Sequence, residues 1–205
     1  MKIGVLDIQG SVAEHLAAIK KLKNSGGGPM VEPVLVKNLD DLSGVSGLII
    51  PGGESTTIGK LLRRFGLREE IIKRVREGSL AVWGTCAGAI LLAKKIVGRQ
   101  NADSLGLMDI TVERNAYGRQ IESFETQLEF DLGPAGRAIA GNVVPGIFIR
   151  APKILAVGVG VEILAKHDGE IVAARQGNLL ATNFHPELTD DLRVHGYFVE
   201  MCRAI

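Results

Sequence analysis

The sequence predicts an α/β fold in three layers, with a mostly parallel sheet, helices on both of its faces and added antiparallel strands. Apolar runs alternate with helical patterns in the first half of the 205-residue chain. Their connections are too long for hairpins, which is typical of parallel strands. The second half carries closely spaced apolar runs, and Asp168-Gly169 between two of them is a hairpin signal. We expect a single domain over residues 1–205, since that length suits one well-buried core.

Composition argues against several classes of function. The formal net charge is +1 without a dense cluster of Lys and Arg, so we expect no nucleic acid and no membrane as partner. No apolar run has the length of a membrane span, and the N-terminus lacks the long apolar core of a secretion signal. Two cysteines make no disulfide framework, which favours a reducing, cytoplasmic location.

In chain order, the first half predicts strands and helices that alternate. Ser11 and Glu14 have the spacing of a capping box at the start of the first helix, which ends at the glycine-rich residues 26–29. His15, inside this helix, is expected to be partly exposed and without a chemical role. The predicted strands cover residues 3–8, 31–36, 47–50 and 80–83, and two further helices cover 58–64 and 67–76.

Residues 51–57, Pro-Gly-Gly-Glu-Ser-Thr-Thr, follow the third predicted strand. A glycine pair at the carboxyl end of a strand exposes backbone N–H groups, and parallel α/β sheets bind ligands at that edge. The alternative is an ordinary turn in which Ser55 or Thr56 caps the next helix. A phosphate loop is disfavoured because the pattern G-x-x-x-x-G-K-[ST] is absent.

Residues 84–88, Gly-Thr-Cys-Ala-Gly, are a cysteine version of the G-x-S-x-G elbow. They lie between the fourth strand and a helical pattern over residues 89–96. The two glycines permit a turn in which backbone approaches backbone. Cys86 at the apex would face the N-terminus of the next helix, whose dipole favours the thiolate. The alternative is one more buried, inert cysteine.

The second half predicts short strands and a last helix, over residues 109–113, 127–130, 147–149, 155–159, 161–167, 170–175, 179–184 and 191–203. Arg114 and Arg150 each end one of these strands. An arginine in either place could fork onto a substrate carboxylate, but taken singly each is better explained as a surface ion-pair partner.

His185-Pro186-Glu187 follows the last predicted strand. Residues two apart on a strand face the same way, so the two side chains should project together. A histidine oriented by a carboxylate is the base-plus-orienter part of a catalytic triad, and Cys86 would supply the nucleophile. The order Cys, His, Glu differs from the Ser, acid, His order of ordinary esterases. No close pair of ligands such as C-x-x-C is present, so we expect no metal site.

Taken together, these motifs resemble the class I (triad) glutamine amidotransferases. The resemblance rests on residues 84–88 and 185–187 and covers nearly the whole chain. Within that class, residues 51–57, 113–115, 118–120, 148–152 and 184–189 are similar to the glutaminase subunits of pyridoxal 5'-phosphate synthases. The stretches 26–29 and 132–144 depart from the family pattern.

The resemblance implies a flavodoxin-like amidotransferase fold, an activity and a set of site residues. Cys86 would attack the side-chain amide of L-glutamine, with His185 as base and then acid and Glu187 holding its tautomer. The N–H groups of Gly53 and Ala87 would form the oxyanion hole. No cofactor is implied. The residues expected to contact glutamine are Gly53, Glu54, Ser55, Arg114, Ile149 and Arg150.

The resemblance also implies a partner, a (β/α)8-barrel synthase that receives the ammonia, with twelve glutaminases on twelve synthase subunits. Three alternatives remain at this point. The glutaminase of imidazole glycerol phosphate synthase is disfavoured by the Gly-Glu-Ser-Thr-Thr and Arg-Ala-Pro motifs. An elbow-cysteine hydrolase or chaperone of the DJ-1 type does not predict residues 185–187. A non-catalytic binding protein of the same fold is the least compatible with an intact triad.

Overall fold

The computed structural model describes residues 1–24, 31–98, 103–114, 123–133 and 142–205. The predictions that fall on residues 26–29, 115, 118–120 and 134–141 lie outside the described residues. In chain order the strands are β1 (Lys2–Leu6), β2 (Glu32–Val36), β3 (Gly47–Ile50), β4 (Ala81–Thr85), β5 (Ala93–Ile96), β6 (Met108–Glu113), β7 (Phe124–Glu129), β8 (Val143–Phe148), β9 (Lys153–Val157), β10 (Glu162–His167), β11 (Glu170–Gln176) and β12 (Leu179–Thr182). The helices are α1 (Val12–Asn24), α2 (Leu39–Ser43), α3 (Ser55–Arg64), α4 (Leu67–Arg76), α5 (Ala87–Leu92) and α6 (Arg193–Arg203), and Pro186–Leu188 forms a 3₁₀ turn.

The main sheet has the strand order β2-β1-β3-β4-β12-β11-β9-β6-β5, with β10 paired to β11 and with β7 and β8 in a separate hairpin. Strands β1 to β4 and β12 run parallel, whereas β9, β10 and β11 add antiparallel pairs. The predicted parallel sheet with added antiparallel strands is therefore confirmed. Because parallel strands share a carboxyl edge, the loops after β1, β3, β4 and β12 meet at one place.

The core lies on both faces of the sheet, as the strand alternation requires. Leu48, Ile50 and Val82 point to the face that α3, α4 and α5 cover. Ile49 and Trp83 point to the face covered by α1 and α6. The predicted helices on both faces are thus confirmed. Among the helices of the described residues, none has the length and apolar character that a membrane crossing needs.

One predicted helix differs from the structure, and one short helix was not predicted. Residues 89–96 were expected to form one helix, but α5 ends at Leu92 and the chain continues as β5, which pairs in parallel with β6. The ladder with β6 supplies hydrogen-bond partners that the helical pattern cannot reveal. The short helix α2 has no counterpart in the sequence analysis. Its N-cap Asn38 accepts the Asp41 N–H, and only Leu42 of its residues is buried, too little for a detectable period.

Helix α5 crosses the sheet closely enough to exclude side chains at two glycines. A Cβ on Gly84 would lie 2.3 Å from the carbonyl carbon of Gly88, and a Cβ on Gly88 would lie 2.2 Å from the Ile50 carbonyl oxygen. Both obstacles are backbone atoms, which have no rotamer in which to move away. The glycines of the elbow are therefore required by packing between β3, β4 and α5.

Replacing Gly84 with alanine should lower the free energy of unfolding by about 1–3 kcal/mol, because the added methyl must displace the backbone of α5. The control is Gly196→Ala in α6, where a Cβ would meet only Leu22 Cδ2 at 3.9 Å. That change should raise stability by about 0.5–1 kcal/mol. Urea unfolding measures both, and equal stabilities would contradict the packing argument.

Candidate functional site

A cavity of about 590 Å³ opens at the carboxyl ends of the parallel strands. Nine of the ten predicted site residues line it, and the tenth, Glu187, is buried behind His185. Loops after β1, β3, β4, β6, β8 and β12 all contribute to its wall. The predicted residues in the lining are Gly53, Glu54, Ser55, Cys86, Ala87, Arg114, Ile149, Arg150 and His185.

Cys86 stands at the apex of the elbow, between β4 and α5, with φ 48° and ψ −101°. Its backbone N–H donates to the Thr182 carbonyl of β12 at 2.8 Å, and its carbonyl accepts from Ala89 at 3.1 Å. A positive φ is strained for a residue with a side chain. The surrounding packing therefore imposes this conformation, which leaves the thiol facing the cavity.

His185 and Glu187 meet in a hydrogen bond of 2.7 Å, with Nδ1 of the ring donating to Oε1 of the carboxylate. The backbone element that holds this pair differs from the expected strand end. Strand β12 ends at Thr182, and the pair spans the first residues of a 3₁₀ turn instead of a strand end. The His185 N–H also donates to the Ile147 carbonyl at 2.8 Å, which anchors the ring beside β8.

The pKa values of this pair are shifted in opposite directions. Burial by itself lowers the pKa of His185, but hydrogen bonds and charge at Cys86 and Glu187 outweigh it, and the pKa rises to about 10. Burial raises the pKa of Glu187, but His15, His185 and the Ser11 hydroxyl outweigh it and bring the pKa to about 2. At neutral pH the structure therefore holds an imidazolium between a cysteine and a carboxylate.

Glu187 has two further neighbours that the sequence analysis did not place. The Ser11 hydroxyl donates to Oε1 at 2.7 Å, and His15 Nε2 lies 3.5 Å from Oε2. The expectation that His15 is partly exposed is wrong, since its side chain lies on the inner side of α1 and is completely buried. The helical period places His15 on α1, but only the packing of α6 and the 3₁₀ turn against that helix covers it.

The loop after β3 is organised by Glu54. Its carboxylate caps α3 by accepting the N–H groups of Thr56 at 3.0 Å and Thr57 at 2.7 Å. The alternative, a cap by Ser55 or Thr56, is therefore excluded, because Glu54 is the N-cap of α3. Burial raises the Glu54 pKa, but the combined hydrogen bonds from Thr57 and Thr56 outweigh it and lower the pKa to about 2. The same carboxylate accepts from Arg114 Nη2 at 3.0 Å, so Glu54 also fixes one of the two predicted arginines.

Gln9 is a cavity residue to which the sequence analysis assigned no role. Its side-chain oxygen accepts the Glu54 N–H at 2.8 Å and would lie 2.6 Å from a Cβ on Gly53. The Ser11 N–H donates to the Gly52 carbonyl at 3.2 Å, so the loops after β1 and β3 are locked together. The sequence did hold a signal for Gln9 as a cavity residue. It is polar and closely follows the buried first strand, at the carboxyl edge that the parallel strands share.

Arg150 and Ile149 enter the cavity from the loop after β8. Arg150 has φ 46°, and with Cys86 and Asp168 it completes the positive-φ residues other than glycine in the described part of the chain. Asn183 Nδ2 donates to the Pro152 carbonyl at 2.9 Å and ties this loop to the end of β12. Two of the three strained residues thus line one cavity, where strain commonly serves function.

The arrangement can support acyl transfer to a thiol. It combines a cysteine at a helix N-terminus with an imidazole that can give a proton when charged and take one when neutral. Two arginines suited to a carboxylate lie in the same cavity. Within the described ranges, no group of three His, Cys, Asp or Glu side chains is placed to hold a metal ion.

Comparison with known proteins points to one family. Residues 5–204 match the SNO glutamine amidotransferase family. The chain is 53% identical to the pyridoxal 5'-phosphate synthase subunit PdxT of Pseudothermotoga lettingae, over 98% of this chain and 95% of that one. It is 53% identical to the PdxT of Niallia circulans, over 99% and 98% respectively.

Solved structures are similar as well. A crystal structure of a glutamine amidotransferase superposes with a TM-score of 0.86 at 48% identity, over 98% of both chains. A putative GMP synthase protein from Thermoplasma acidophilum has a TM-score of 0.67 at 16% identity, over 100% of this chain and 94% of that one. At that identity the second structure supports the fold alone.

The opposite pKa shifts of two histidines predict opposite pH dependences of stability. His185 has a folded pKa of about 10 against 6.5, so its stabilisation is complete below pH 6.5 and is lost as the pH rises toward 10. His195 is buried in α6, and burial lowers its pKa from 6.5 to about 3, so its stabilisation is complete above pH 6.5 and is lost as the pH falls toward 3.

Unfolding free energies of the wild type, His185→Gln and His195→Gln across pH 3–10 measure these contributions. The difference between wild type and His185→Gln should shrink on the alkaline side, and the difference for His195→Gln should shrink on the acid side. Two differences with the same pH dependence would contradict the assigned protonation states.

Proposed function

The chain belongs to the SNO glutamine amidotransferase family, and we propose that it hydrolyses L-glutamine to L-glutamate and ammonia for the synthesis of pyridoxal 5'-phosphate. The observation that carries the proposal is the strained Cys86 elbow beside the His185–Glu187 hydrogen bond, in a cavity that also contains Arg114 and Arg150. Relatives with the PdxT name at 53% identity over nearly the whole chain support the pathway.

The reaction proceeds through a thioester on Cys86. The thiolate attacks the side-chain amide carbon of glutamine, and the protonated His185 ring gives its Nε2 proton to the leaving nitrogen, which departs as ammonia. Neutral His185 then takes a proton from water, whose oxygen attacks the thioester. The tetrahedral adduct expels the thiolate and releases glutamate. Glu187, bonded to Nδ1, keeps Nε2 directed at Cys86 throughout.

The oxyanion of each tetrahedral adduct is met by the N–H groups of Ala87 and Gly53. Ala87 is the first residue of α5, so its N–H lies at the positive end of the helix. Gly53 lines the cavity, and its neighbour Gly52 packs directly against the His185 ring. Backbone donors held by packing need no reorganisation when charge develops on the oxygen.

The amino-acid end of glutamine is recognised by the loops around Glu54 and Arg150. Arg114 is held by Glu54 Oε1 at 3.0 Å and by Thr56 Oγ1 at 3.1 Å, and a preoriented guanidinium suits the α-carboxylate. Glu54, Gly53 and Ser55 present polar groups for the α-ammonium and carboxylate. Ile149 lines the cavity beside Arg150 and provides apolar contact for the methylenes.

Ammonia passes to a pyridoxal 5'-phosphate synthase of the (β/α)8-barrel type, in an assembly of twelve chains of each kind. The names of the relatives support the synthase partner, and the resemblance of the sequence motifs supports the stoichiometry. The complex operates in the cytoplasm. Both cysteines are free in the described structure, and a thiol nucleophile must remain reduced to act.

Replacing Cys86 with alanine should abolish glutamate release, because the thioester forms on the Cys86 sulfur. The assay measures glutamate with and without a cognate barrel synthase, which should raise the weak activity of the isolated wild type. Cys202→Ala is the control, since Cys202 is buried in α6 against Gly47, and it should retain activity. Glutamate release by Cys86→Ala would refute the mechanism, and stimulation by a histidine-pathway synthase would assign another partner.

Replacing Arg114 with methionine should raise the KM for glutamine by about tenfold or more, since a charged hydrogen bond contributes roughly 1.5–3 kcal/mol. The turnover of bound substrate should change less. Arg68→Met is the control, because Arg68 donates to the Ser104 carbonyl outside the cavity. Steady-state kinetics with the synthase present measure both variants, and an unchanged KM would exclude a role for Arg114 in substrate binding.

A further inference from the structure

A polar cluster lies buried behind the catalytic carboxylate, on the face of the sheet covered by α1 and α6. His15, Thr85 and His195 are each no more than 1% exposed. His15 Nδ1 lies 3.0 Å from His195 Nε2, and His15 Nε2 lies 3.2 Å from Thr85 Oγ1. Polar side chains this deep are costly unless they are hydrogen-bonded. The proposed reaction uses none of the three.

Glu187 points one unpartnered oxygen at this cluster. Its Oε1 accepts from both His185 and Ser11, whereas its buried Oε2 accepts no hydrogen bond within the described residues. The His15 Nε2 atom faces Oε2 at 3.5 Å. An ionised carboxylate can only accept hydrogen bonds, so the ring nitrogen that faces it must carry the proton to be favourable.

This requirement assigns the tautomers of both rings. With the proton on Nε2, His15 is directed at Thr85 and Glu187, and its Nδ1 accepts from His195 Nε2–H. The reverse assignment would aim the Nε2 lone pair at an anion and leave the Nδ1–H to donate to His195. Electrostatics therefore favours the first arrangement, in which His195 fixes the proton of His15 on the side of the carboxylate.

The cluster is built to keep both rings neutral. Trp83 meets His15 and His195 edge-on, with ring centroids 5.4 and 4.9 Å apart. Burial lowers the pKa of His15, although Glu187 opposes the shift. A charged His15 would compete with His185 for the carboxylate. A neutral donor instead holds the carboxylate in place and leaves its charge for His185.

We propose that His15 is a positioning residue for glutamine hydrolysis. Its neutral ring, fixed by His195, presents the positive Nε2–H dipole to Glu187 Oε2 across 3.5 Å, and this electrostatic contact keeps Oε1 in line with His185. The inference rests on the proposed function, since Glu187 orients the base only if that chemistry occurs. It extends the catalytic constellation from the cavity to α1 and α6.

The test compares His15→Leu, His15→Gln and Ile19→Val, each assayed with the synthase partner. His15→Leu removes the donor and should lower kcat by about tenfold or more with KM within about twofold, as loss of an orienting group does. His15→Gln carries an amide N–H where Nε2 stood and should recover most of that loss. Ile19→Val weakens the buried face of the same helix and should lower stability without changing kcat.

Equal kcat values for His15→Leu and Ile19→Val would overturn the proposal, and so would a glutamine variant no better than leucine. A second measurement needs no variant and no partner. Nitrogen-15 NMR of histidine-labelled wild type should show His15 protonated on Nε2 and bare on Nδ1 at neutral pH. The opposite tautomer, or a doubly protonated ring, would overturn it.

The two proposals fail separately. Absence of synthase-dependent glutamate release from the wild type would refute the proposed function, while the NMR measurement would still decide the tautomer of His15. Wild-type activity that disappears in Cys86→Ala but persists fully in His15→Leu would refute the positioning role alone.

Discussion

The contact of backbone with backbone at the elbow is the constraint on which the rest of the site depends. Gly84 and Gly88 let α5 lie against β3 and β4 at a distance that a single methyl group would prevent. The turn between them is then so short that Cys86 must adopt φ 48°. Strain at this residue is stabilised by the buried core around it, since every strand beneath the elbow is covered on both faces. This conformation holds the Cys86 thiol at the cavity.

The histidines of this region have different pKa values because their electrostatic environments differ. His185 lies between a cysteine and a carboxylate, and its pKa is raised to about 10. His195 is more deeply buried and faces Trp83 and another imidazole, and burial is the main cause that lowers its pKa to about 3. A single carboxylate, Glu187, lies between His185 on one side and the buried cluster that contains His15 and His195 on the other. It can therefore pair with a charged ring on one side and a neutral ring on the other without two cations competing for it.

The cavity at the carboxyl edge of the sheet is assembled from loops that bind one another. Gln9 binds the loop after β3, Glu54 binds Arg114 just after β6, and Asn183 binds the loop after β8. Each link joins the ends of different strands through a side chain and a backbone group or a charge. The groups that we propose to recognise glutamine thereby acquire a fixed spacing, as the binding of a small amino acid requires. The parallel sheet contributes by bringing all of these strand ends to one edge.

The sequence by itself determined the features that depend on covalent neighbours. The elbow at residues 84–88, the His-Pro-Glu tripeptide and the alternation of strands and helices are local patterns, and they led to the fold class and to the residues proposed as catalytic. The cap by Glu54, the end of α5 at Leu92 and the burial of His15 were decided only by tertiary structure. Ser11 and Glu187, for example, are 176 positions apart in the chain and meet through a hydrogen bond. Such contacts follow from how helices and strands pack, because a side chain's partners across the core leave no period or spacing in its own segment.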